Sequence, residues 1–233
     1  MDEYLAHFRV LENALADCEH LLLHFRGPVC DLSVTAVTGR LRDLLAGQGV
    51  PLPQAMRAAS DPYALLRFIL AACPRLAARA EAEICQQEVL AAAAARPSPG
   101  IRTLLDGPAS VSIIGDVCPA AIKGYLARLY PRQMGRVRLI IGRLGAGPAL
   151  LEPTPIPILQ AAQLLGVPPA ACAVVASTPD GIRAARQAGA RAIGYARTAT
   201  ARDQLTAAGA AASTARMTEL AGAAYSTEQR RRR

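Results

Sequence analysis

The sequence predicts an α/β protein in which a doubly wound, five-stranded parallel sheet carries an inserted all-helical unit. Two observations give this class. From residue 111 onward, short apolar runs alternate with amphipathic helical stretches, the rhythm of a parallel sheet covered on both faces. Between residues 33 and 96 there is no convincing strand, and helical patterns follow one another instead.

Taken in order, residues 3–18 place Tyr4, Phe8, Leu11 and Leu15 on one helical stripe. HLLLHF at 20–25 runs into Arg-Gly-Pro and predicts a buried strand that leaves through a tight loop. The inserted unit consists of patterns at 34–47, 61–72 and 75–95. Asp61-Pro62 supplies the second of these with an N-cap and a proline at the first helical position. Leu41, Leu65, Leu66 and Ile69 read as the core of the insert. Arg96-Pro-Ser-Pro-Gly100 ends it. The remaining strands are VSIIG (111–115), VRLIIG (137–142), CAVVAS (172–177) and ARAIGYA (190–196), with helices near 119–129, 154–165, 179–188, 200–208 and 216–223. This divides the chain into a sheet domain (1–32 and 97–225), a helical insert (33–96) and a disordered basic tail (226–233).

Composition narrows the function classes. Of 233 residues, 52% are apolar and 19% charged, enough for a core and too apolar for global disorder. No run of eighteen apolar residues occurs, and the N-terminus lacks a basic-then-apolar leader pattern, so a cytoplasmic protein is expected. The six cysteines, at 18, 30, 73, 85, 118 and 172, include no CxxC pair and suggest neither a zinc site nor a disulfide framework. The net charge of +8 is almost entirely arginine, with Lys123 the single lysine; with about a fifth of the chain alanine, this bias reflects a GC-rich coding sequence before it reflects a nucleic-acid surface.

Three stretches carry a family resemblance: LLLHFRGPVCDL (21–32), ALLEPTPIPILQAAQLLGVPPAACAVVAS (149–177) and TPDGIRAARQAGARAIGYA (178–196). Together they resemble the haloacid dehalogenase-like (HAD) phosphatases of phosphoglycolate phosphatase type, which have a Rossmann-like core with a helical cap inserted after the first strand. The resemblance covers residues 18 to 224. It implies an aspartate nucleophile ending strand one and a second aspartate two residues later. It also implies a hydroxyl after strand two, a lysine after strand three, and acids after strand four that complete a magnesium site. That set suits phosphoryl transfer, because magnesium takes oxygen ligands and the attacking carboxylate needs charge stabilisation.

At every one of those positions this sequence has something else. His24 stands at the nucleophile position, Arg26 at the acid/base position, Gly115 at the hydroxyl position and Glu152 at the lysine position. Ser177 and Gly181 stand at the two acidic positions, with Asp180 one place away. Arginine has no lone pair to offer a cation and repels it. The implied magnesium site is therefore expected to be lost, with no cofactor in its place. The signs at 26 and 152 are exchanged relative to the family, which predicts an Arg26–Glu152 ion pair across the cleft. His24 as a nucleophile would lack cations and a turnover group; a packing role is expected. Ser177 and Thr178 open a helix and read as an N-cap before an anion site. Asp116 is evenly balanced between ligand contact and helix cap. Cys30 and Cys118 lie near the cleft with no base beside them. These replacements account for about three of the eight positive charges, and the arginine tail for most of the rest.

The functional expectation is a catalytically inactive HAD-like protein that acts by binding a protein partner, a second copy of itself or a small anionic ligand. The binding candidates are His24, Arg26, Asp116, Glu152, Ser177 and Thr178. A repurposed metal-independent enzyme of specialised metabolism using His24, Arg26, Asp116 and Glu152 is the alternative. A HAD hydrolase with non-standard site residues is a further one. Nucleic-acid binding is not expected, because aromatic residues are few and no motif is present.

Overall fold

A computed structural model describes residues 2–143, 151 and 153–231. The chain runs α1 (Asp2–Leu15), β1 (His20–His24), β2 (Cys30–Asp31), α2 (Val37–Ala46), α3 (Gln54–Ala58), α4 (Pro62–Ala72), α5 (Ala77–Ala94) and β3 (Arg96–Pro97). It continues through α6 (Ile101–Asp106), β4 (Ser110–Ile114), α7 (Pro119–Leu129), α8 (Pro131–Met134), β5 (Val137–Ile141) and α9 (Ile156–Leu165). It ends with β6 (Cys172–Ala176), α10 (Pro179–Gln187), β7 (Arg191–Tyr195), α11 (Ala199–Ala207), β8 (Ala212–Thr214) and α12 (Met217–Arg231).

The sheet is parallel throughout, in the order β5-β4-β1-β6-β7-β8. It therefore has six strands rather than the five expected. The sixth, β8, is only Ala-Ser-Thr, too short and too polar to stand out as an apolar run. From β1 the sheet grows one way through β4 and β5 and the other way through β6, β7 and β8. The crevice at the C-terminal edge between β1 and β6 is thus the topological switch point, where ligands bind in open α/β sheets. Register brings His20 opposite both Ser110 and Cys172, so the C-terminal ends of β1, β4 and β6 finish level.

The helical insert leaves and re-enters the sheet domain through a two-stranded antiparallel ribbon, Cys30 opposite Pro97 and Asp31 opposite Arg96. Asp61 caps α4 by accepting from the Tyr63 amide at 3.1 Å, as its sequence implies. The insert holds four helices where three patterns were expected; α3 is a single short turn-and-a-half with no buried residue. One continuous apolar core runs from Leu21 and Leu23 on β1 through Phe25 and Val29 into Leu41, Leu65, Ile69 and Ile84 of the insert. The cap is thus packed as an extension of the main core. A second core on the opposite sheet face gathers Leu22, Ile114, Ile158, Val174 and Ile182.

The tail needs correction. Residues 226–231 are the end of α12, not disordered. Thr227 is buried and its hydroxyl donates to the Ala223 carbonyl at 2.8 Å. Arg231 donates to the carbonyls of Leu15, Ala16 and Cys18 at 3.3, 2.9 and 2.7 Å, satisfying the open C-terminal end of α1, and Arg230 meets Glu12 at 2.9 Å. Four arginines in sequence look like a solvated end, but two of them have carbonyl or carboxylate partners that only the fold brings near. Among the described residues no helix is long and apolar enough to cross a membrane. Truncation after Tyr225 is expected to destabilise the protein by about 1–3 kcal/mol in urea unfolding; an unchanged midpoint would mean the segment contributes no packing.

Candidate functional site

The site is built where β1 stops. Leu21, Leu22 and Leu23 are buried on alternate faces, and the strand ends at His24, also buried. The Phe25 amide donates to the Ile114 carbonyl at 2.9 Å, and its ring meets Tyr125 edge-on at 5.3 Å. The chain then turns at Gly27, whose φ of +94° suits glycine. A Cβ there would lie 2.0 Å from the Ser177 hydroxyl. Ser177 donates to the Arg26 carbonyl at 3.1 Å, and Ser98 donates to the Gly27 carbonyl. Ser177 is therefore a clamp on the loop after β1, which accounts for a hydroxyl at a position the family resemblance assigns to an acid.

His24 and Gly181 fit each other. A Cβ at 181 would stand 3.1 Å from His24 Cε1 and 2.8 Å from Ala176 Cβ, so the imidazole lies over the helix start where a side chain is missing. The free space beside His24 is about 10 Å³, bounded by Ile114, Gly115, Asp116, Thr154, Pro157, Ile158 and Ala184. That is room for one water molecule at most. Thr178 caps α10, its hydroxyl accepting from the Gly181 amide at 3.0 Å, as the helix-cap reading expects.

Arg26 points the other way, into a cleft of about 400 Å³ between sheet edge and cap. Its guanidinium lies 3.4 Å from Asp116 and 4.5 Å over the Tyr63 ring. Arg26 thus has an acidic partner in the loop after β4; Glu152, the partner expected from sequence, lies outside the described residues. Leu32, Ser33, Val34, Thr35, Ser60, Asp61, Arg67, Thr178 and Asp180 complete the cleft wall. His24 is not part of it. The candidate residues therefore separate: Arg26, Asp116 and Thr178 share the cleft, while His24 and Gly115 line the small cavity behind it. The cysteines near the site are held as neutral thiols and are not poised as nucleophiles. Burial, with the Asp31 charge adding to it, pushes the Cys30 thiol up to about 12, and burial likewise raises Cys118.

Beneath the cleft lies a buried charge network that the sequence reading missed. Glu88, on α5, is fully buried. Its Oε1 accepts from Arg143 at 2.7 Å and from the Tyr63 hydroxyl at 2.9 Å; its Oε2 accepts from the Cys118 amide at 2.7 Å and from Arg143 at 3.2 Å. Arg143 also donates to Glu81 and to the Asp116 carbonyl, each at 2.6 Å. Burial alone would lower the Arg143 pKa, but Glu88 and Glu81 hold it above its ordinary value. Burial and the Asp116 charge keep the Tyr63 phenol protonated, so it remains a donor to Glu88. The network bolts the cap (Tyr63, Glu81, Glu88) to the sheet domain (Asp116, Cys118, Arg143). The signal for it was available: Ala80, Ile84, Glu88 and Ala92 form the inward stripe of α5, and a glutamate on an apolar stripe calls for a buried cation.

No family model matches the chain, and no curated protein matches it. Solved structures do. A haloacid dehalogenase-like protein of unknown function from Agrobacterium tumefaciens aligns over 91% of this chain and 99% of its own, with a TM-score of 0.61 and 20% identity. The chain carries the haloacid dehalogenase fold. A haloacid dehalogenase-like family hydrolase from Streptococcus pneumoniae gives a TM-score of 0.62 at 14% identity, covering 88% of this chain and 98% of that one. A putative phosphoglycolate phosphatase from Lactobacillus plantarum gives 0.60 at 19% identity, covering 87% and 99%.

The magnesium ion that this fold family implies does not fit the residues present. Among the described residues each carboxylate lining the cleft has an arginine against it: Asp116 with Arg26 at 3.4 Å, Asp61 with Arg67 at 3.9 Å, and Asp180 with Arg183. A hard divalent cation needs several oxygens at once, and here guanidinium groups stand beside them. Two outcomes follow for variants. Arg143→Met, which strands the Glu88 carboxylate in the interior, should cost about 3–5 kcal/mol in urea unfolding, and Arg143→Met/Glu88→Leu should recover most of that loss. Gly181→Asp, placing a side chain against His24 and Ala176, should cost about 1–3 kcal/mol in the same measurement.

Proposed function

We propose that this protein is a binding protein on the haloacid dehalogenase fold, without the phosphoryl-transfer chemistry of that fold, and that it takes a small polar molecule bearing an anionic group into the cap–sheet cleft. The observation that carries this reading is the pairing of every cleft carboxylate among the described residues with arginine. Positions 24 and 26 carry no acid to attack phosphorus, and Arg26 and Arg67 line the cleft as guanidinium donors. Arg26 is fixed by Asp116 and the Tyr63 face, so little side-chain freedom is lost when it binds an anion. The volume of about 400 Å³ falls within the range of small-molecule sites. The lining holds Arg26 and Arg67 against three aspartates, so a ligand carrying both signs of charge suits it better than a bare polyanion.

The reading is tested by thermal unfolding in the presence of inorganic phosphate, a dicarboxylate and an amino acid, alongside a magnesium-dependent phosphatase assay. The expected result is saturable stabilisation by at least one of the three, about 2.7 kcal/mol at a hundredfold excess over Kd, lost in Arg26→Gln and Arg67→Gln, with no phosphatase turnover. Magnesium-dependent turnover, or stabilisation that survives both variants, would overturn it.

A further inference from the structure

Outside the cleft, the most concentrated group of reactive side chains is Cys85, Glu88 and Cys118, whose ligand atoms all lie within 4.8 Å of one another at the cap–sheet junction. Such a trio resembles a soft-metal site, but Glu88 has no capacity left. A carboxylate accepts about four hydrogen bonds. Glu88 already receives four, from Tyr63, from two nitrogens of Arg143 and from the Cys118 amide, and the Arg143 cation sits against it. Two thiols remain. Cys85 lies on α5 and is half-buried, open to a small oxidant. Cys118 is buried at the start of α7, and its thiol contacts the Cys85 carbonyl at 3.7 Å.

We infer that Cys85 and Cys118 are a redox pair that closes into a disulfide tying the cap to the sheet domain when a peroxide is present. The cap otherwise joins the sheet domain covalently only through the ribbon of β2 and β3. The bond would add a third covalent tie, 33 residues apart in sequence, across the same α5–α7 contact that Glu88 holds. The chemistry balances in two steps. The Cys85 thiolate attacks the peroxide, its sulfur takes one oxygen to become a sulfenic acid, and hydroxide leaves. The Cys118 sulfur then attacks the Cys85 sulfur, the S–O bond breaks, the proton of Cys118 goes to the departing hydroxide, and water is released. The order follows from exposure: burial and the neighbouring Cys85 thiol keep Cys118 protonated, which makes it the resolving partner. The sulfurs must close to about 2.05 Å, a movement within reach of side-chain rotation from under 4.8 Å.

The inference does not depend on the identity of the cleft ligand. Its test is treatment of the full chain with stoichiometric hydrogen peroxide, followed by intact mass, peptide mapping and thermal unfolding. The expected product is about 2 Da lighter, with Cys85 and Cys118 in one cross-linked peptide, and melts roughly 5–10 °C higher, reversibly with dithiothreitol. Cys85→Ser should abolish cross-link and shift together. Cys118→Ser should leave Cys85 gaining oxygen without a cross-link. Cys85 and Cys118 both still alkylatable after treatment, oxygen adducts on Cys85 in the unaltered protein, or a cross-link to another cysteine would each overturn it.

Discussion

The buried pair of Glu88 and Arg143 is the constraint on which the rest of the site depends. Taking both charges out of water carries a penalty of several kcal/mol per ion, and it is tolerable only because each oxygen of Glu88 and both terminal nitrogens of Arg143 are satisfied. That satisfaction requires one geometry. The cap must lie where Tyr63 and Cys118 both reach Glu88. Tyr63 so placed offers its ring to Arg26, and Arg26 is thereby held toward Asp116 and the cleft. A chain of contacts thus runs from the interior of α5 to the cleft lining.

The C-terminal edge of the sheet is closed with the same economy of partners. His24 covers the helix start left bare by Gly181. Ser177 holds the loop that Gly27 makes possible. In both places the neighbour matches the side chain in size or hydrogen bonding. The family resemblance would assign catalytic groups to these same strands. This is the expected pattern when scaffold and chemistry are separable, since a fold does not by itself supply a function.

How much of this was legible in the sequence depended on range. The parallel strands could be read because apolar runs such as VSII and CAVVA are local signals. Asp61-Pro62 announced its helix for the same reason. Positions 24, 26, 115 and 177 fall at the sheet edge because each ends a strand or lies within two residues of its end, while Gly181 sits in the first turn of α10. The Arg26–Asp116 contact was not legible: the two lie 90 residues apart, and only the fold brings their side chains together. The Glu88–Arg143 pair spans 55 residues and lies in a helix so rich in alanine that its inward stripe is faint. Arg231 was misread because its partners, the final carbonyls of α1, are more than 200 residues away.

The most direct test of the fixed cap is native-state hydrogen exchange at the Cys118 amide, which donates to Glu88 across the cap–sheet junction. If the buried network holds the cap as described, this amide exchanges only through global unfolding, with an opening free energy equal to that from urea denaturation. Exchange through a smaller opening, in concert with the amides of α5 while the sheet stays protected, would show that the cap swings free and would contradict the account.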